Sequence, residues 1–82
     1  MVEEQIEDII EQLSELLEDN TVPRNVKTKI QEIINSLNES SELSLRLNKA
    51  LNILDEISDD NNIQPYTRTQ IWNLVSMLEA LG

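Results

Sequence analysis

Two acidic clusters, each followed by a base, are where oppositely charged side chains of this chain fall close enough to act together. Glu18 and Asp19 precede Arg24 and Lys27, and Asp59 and Asp60 precede Arg68. Oxygen-rich runs of this kind raise calcium ligation first. A helix–loop–helix calcium loop needs oxygen ligands at alternate positions, a central glycine and a distal glutamate. The run Asp59-Asp60-Asn61-Asn62 fails that test, because Ile63 takes the third alternate position and the glycine is missing. Ion pairing is the remaining chemistry. An acid at a helix C-terminus and a base at an N-terminus each oppose the helix dipole. Where two such ends meet at one turn, however, the charges can pair, for about 0.2–1 kcal/mol per exposed pair. Histidine and cysteine are absent, so the commonest general base, the thiolate nucleophile and the usual transition-metal ligands are all missing. Serine, lysine and carboxylates remain, and none is spaced as a catalytic set. The expectation is a protein without enzymatic activity, cofactor or metal.

Binding is then the chemistry to weigh. Arg24, Lys27 and Lys29, joined by Arg68, form the candidate basic cluster. The three on the second helix scatter around it, and no interleaved aromatic or glycine-rich loop accompanies them, which supports phosphate or base recognition only weakly. Leu45, Ile53, Trp72 and Met77 form a second candidate set. They lie off, or at the margin of, the main apolar stripes of their helices. One reading makes the third helix central, with these residues sealing the two halves of the molecule together. The other makes them an exposed surface that binds a protein partner or a second copy of the chain.

Charge is uneven. The net charge is −10, and the first 19 residues hold eight acids and no base. Such a field repels phosphate backbones and anionic lipid, and attracts a basic protein segment. No stretch approaches the roughly 18 apolar residues of a membrane span. The opening Met-Val-Glu-Glu lacks the basic flank and apolar run of a signal peptide, so a cytoplasmic location is expected.

The elements that must position these groups are helices. Apolar residues at Val2, Ile6, Ile9, Ile10, Leu13, Leu16 and Leu17 recur at helical spacing and predict helix over about 2–19. Pro23 suits a first helical turn and opens a second helix carrying Val26, Ile30, Ile33, Ile34 and Leu37. Ser40 or Ser41 is placed to cap a third, over about 42–58. A fourth runs from about 65 to 81. The short turn Asp19-Asn20-Thr21-Val22 requires the first two helices to lie antiparallel.

Sliding the sequence on itself by 41 positions aligns Leu13 with Leu54, Asp19 with Asp60, Asn20 with Asn61, Thr28 with Thr69, Ile30 with Ile71 and Leu37 with Leu78. A period in this range marks helix pairs that hide their apolar faces against one another. The expected architecture is all-α: one domain over 1–82, made of hairpins 1–38 and 41–82 packed as a compact four-helix bundle. A HEAT-like pair is the alternative, from the Pro-x-x-Val-Lys pattern at Pro23 to Lys27.

The segments Asp19-Asn20-Thr21-Val22-Pro23-Arg24-Asn25-Val26, Leu54-Asp55-Glu56-Ile57-Ser58 and Thr67-Arg68-Thr69-Gln70-Ile71-Trp72-Asn73 resemble uncharacterised protein family 0147, over about residues 9–81. The resemblance implies a small, acidic, helical, cytoplasmic protein of archaeal source. It implies no activity and no catalytic residue. The functional expectation is a protein-interaction module, self-associating or docking on a partner. The alternative is an accessory nucleic-acid-associated protein using Arg24, Lys27, Lys29 and Arg68.

Overall fold

The structure, a computed structural model, describes residues 2–81. Four helices follow in order: α1 (Val2–Glu18), α2 (Arg24–Leu37), α3 (Leu43–Ser58) and α4 (Pro65–Leu81). Among the described residues there is no strand. Each helix forms because its apolar residues return every three or four positions, so one stripe can be buried while the polar remainder stays wet. Pro23, extended at φ −60° and ψ 152°, ends the first turn and stands just before α2. Pro65 opens α4 itself, where its missing N–H costs nothing. Asn38 closes α2, its N–H donating to the carbonyls of Ile34 and Asn35 at 3.1 and 3.2 Å.

The serine cap expected on α3 does not form. Glu42 holds the cap position without a side-chain bond, and its carbonyl accepts the N–H groups of Leu45 and Arg46. Ser41 stands two residues ahead of the first helical residue, and its hydroxyl turns to the Glu39 carboxylate at 3.4 Å.

The helices form a ring in which α1 packs on α2, α2 on α3, α3 on α4 and α4 back on α1. This closure makes the molecule a bundle instead of an open pair of stacked hairpins. The third helix is not central: each helix has two neighbours. The interface between α2 and α3 is the most extensive and that between α1 and α4 the least. Seventeen-residue helices rise about 25 Å, in keeping with a body 32 Å long and 18 Å across.

One apolar core runs through the ring, and positions 41 apart supply it in pairs. Ile6 and Leu47, Ile9 and Ala50, Leu13 and Leu54, Leu16 and Ile57, Val22 and Ile63, Val26 and Thr67, Ile30 and Ile71, Ile33 and Leu74, and Leu37 and Leu78 are all buried. Full burial of an Ile or Leu contributes about 1.5–3 kcal/mol, against about 0–1 for an exposed ion pair. The core, and not charge, holds the hairpins together.

Candidate interaction surface

The acids of the two turns do not pair with the bases that follow them. Asp19 accepts the backbone N–H of Thr21 at 2.8 Å and its hydroxyl at 2.7 Å. Asp60 accepts the N–H of Asn62 at 2.8 Å and the side-chain amide of Asn25 at 3.0 Å. A short aspartate reaches the amide two residues on more easily than a long side chain reaches it across the turn. Both carboxyls are held below their ordinary range. For Asp19 the cause is first the Thr21 hydroxyl, then the Thr21 N–H, with Lys27 adding attraction. For Asp60 it is first the Asn62 N–H, then Asn25, with Lys29 and Arg68 adding attraction.

Two arginines take a role the sequence did not announce. Arg68 donates to the carbonyls of Ser58 and Asp60, the latter at 3.0 Å, and so satisfies the C-terminal end of α3. Arg46 donates to the carbonyl of Leu37 at the end of α2, at 3.0 Å, and pairs with Glu3 of α1 at 3.2 Å. Cations at helix C-termini also suit the dipole. Any pattern search for these caps must find an arginine on the next helix, about ten residues on, which is not a local signal.

The basic cluster is therefore dispersed. Lys29 pairs with Glu56 of α3 at 3.4 Å, Lys27 attracts Asp19, and Arg68 is bound to α3 carbonyls. Arg24 is exposed at the start of α2. These bases do not converge on one face.

The apolar set also divides. Trp72 and Leu45 are each 56% exposed, so neither seals the hairpins together. Trp72 lies in mid-α4, one turn after Arg68 and so on the same flank of the helix. Leu45 lies in the first turns of α3. Ile53 and Met77 are half-buried against the core. Ile53 lines a groove between α2 and α3, with Glu32, Asn35, Ser36, Glu39 and Lys49. Met77 lines a groove between α1 and α4, with Gln5, Ile9, Ala80 and Leu81. In a four-helix ring these two seams are on opposite sides. Tyr66, 67% exposed in the first turn of α4, was not singled out by its spacing. Its place beside Pro65, off the buried stripe of α4, was the available signal.

Among the described residues no helix is long and apolar enough to cross a membrane. The model of the Uncharacterised protein family (UPF0147) matches residues 1–81. The chain belongs to this family. A UPF0147 protein of Archaeoglobus fulgidus is 40% identical over 82 residues, covering 100% of this chain and 94% of the relative. A solved UPF0147 structure from Thermoplasma acidophilum is 33% identical with a TM-score of 0.91, covering 98% of this chain and 95% of its own. A second solved chain, of unknown function, is 45% identical with a TM-score of 0.86, covering 92% and 86%. Both named relatives are archaeal, as the resemblance implied. UPF0147 membership brings the helical fold with it and assigns no activity.

Proposed function

We propose that this UPF0147 chain is a non-enzymatic, cytoplasmic interaction module that presents Trp72 to a protein partner, a second copy of the chain included. The observation that carries the reading is the exposure of Trp72, the single tryptophan, at 56%. Leaving an indole in water forgoes a large apolar burial, and tryptophans concentrate at the energetic centres of protein interfaces. The absence of His and Cys supports a role by contact instead of catalysis. A net charge of −10 steers basic partners toward the surface. Nothing favours nucleic acid specifically, since Lys29 and Arg68 are engaged within the fold.

The test combines native pull-down with light scattering on wild type and Trp72→Ala. The expected result is a partner retained, or a dimer formed, by wild type and lost by the variant at unchanged melting temperature. A wild type that stays monomeric and retains nothing contradicts the proposal, as does equal retention by the variant.

A further inference from the structure

The α1–α4 seam between the hairpins differs from the α2–α3 seam. Asn25 with Asp60 and Lys29 with Glu56 tie the α2–α3 side, and its groove carries the Lys49–Glu39 pair at 3.3 Å. Across α1 and α4 the polar tie among the described residues is Gln12 Nε2 to Met77 Sδ at 3.8 Å, a weak one. Ser36 and Met77 stand 41 positions apart, at matching places in the two hairpins, one lining each groove. The exchange of a hydroxyl for a thioether leaves the α1–α4 groove the more apolar. It is a cleft of about 210 Å³ bordered by Met77, Ala80, Leu81, Ile9 and Gln5. Methionine at such a place adapts to differently shaped apolar groups.

Its rim is acidic on one side and neutral on the other. With Gln5 lining the cleft and Gln12 reaching Met77, helical periodicity puts Asp8, Glu15, Glu4 and Glu11 on the adjacent outward stripe of α1. All four are exposed. α1 has no Lys or Arg to offset them, and α4 has only Arg68, which is turned to α3. A second copy would bring the same acids and be repelled. A partner with bases is attracted.

We infer that the α1–α4 groove docks a basic amphipathic helix of a partner protein. An apolar side chain of that helix enters the Met77–Ala80–Leu81 cleft, and its Lys or Arg residues meet Glu4, Asp8, Glu11 and Glu15. The acids recur at intervals of four, three and four residues, which a helical ligand carrying bases at the same intervals matches. This inference rests on the reading of the chain as an interaction module, but uses a different surface from Trp72.

Two synthetic 18-residue peptides of one composition test it. One carries Leu on a single helical face flanked by Lys; the other has the same residues with Leu scattered around the helix. Amide NMR titration at about 0.15 M salt, where exposed charges are largely screened beyond a Debye length, is expected to move Gln5, Ile9, Met77, Ala80 and Leu81 with the first peptide. The scattered peptide binds roughly tenfold more weakly, the loss typical of a misplaced anchor. Met77→Asp weakens the first peptide by a similar factor, whereas Ile53→Asp in the opposite groove leaves it unchanged. Met77→Gln serves if the aspartate variant fails to fold. Equal binding of both peptides, no binding, or shifts centred on Trp72 or Ile53 overturn the groove assignment. A native partner lost with Trp72→Ala but retained by Met77→Asp leaves the module reading standing while the groove falls.

Discussion

Asp19 and Asp60 spend their carboxylates on amides two residues ahead, and Thr28 and Thr69 return their hydroxyls to carbonyls four residues back. These bonds recur 41 residues apart, so each turn is stopped by the same local chemistry. Because the folded-state pKa values of both aspartates are lowered, their stabilisation is present above the ordinary carboxylate pKa. It is lost as pH falls through the lowered folded values. The double variant Asp19→Ala/Asp60→Ala should therefore melt lower than wild type at neutral pH, with the gap narrowing below about pH 4; thermal melts from about pH 2 to about pH 7 measure that difference. A gap that widens on acidification contradicts the assignment. Arg68 carries a different burden, since its removal uncovers two carbonyls at the end of α3. Arg68→Ala should cost about 1–2 kcal/mol in urea unfolding, and Arg68→Lys less.

At the scale of elements, the apolar period was enough to place all four helices, with ends within about one residue of those observed. It was enough because each buried stripe repeats every three or four residues and the turns between are short. Periodicity reports which face of a helix turns inward, but not which neighbour a flank meets. That is why Leu45 and Trp72 could be read either as seals or as surface, and why Ile53 and Met77 could be grouped although they line opposite grooves. The turn charges do not pair for a related reason: a local aspartate–amide bond outcompetes a longer ion pair in water. The matched core gives the hairpins comparable energetic roles. Leu13 and Leu54 are both fully buried. Each Leu→Ala change should cost about 2–5 kcal/mol in urea unfolding. A cost for one near zero would mean its hairpin packs loosely.

Across the whole molecule, a UPF0147 bundle with net charge −10 balances a short apolar core against repulsion concentrated on α1. Screening should relieve that repulsion, so the melting temperature should rise with NaCl to about 0.5 M. A flat or falling response contradicts the balance. The same acids draw basic partners toward α1, and the exposed indole marks where contact leaves its largest trace. Because Trp72 is the single tryptophan, its fluorescence reports one site without deconvolution. The most direct measurement is its emission and acrylamide quenching, in the isolated protein across a dilution series and again with a captured partner at saturation. The monomer should give red-shifted, readily quenched emission that moves to the blue and becomes protected when the complex or dimer forms. Emission already blue and shielded in the monomer, or unchanged in a saturated complex that Trp72→Ala abolishes, contradicts this expectation.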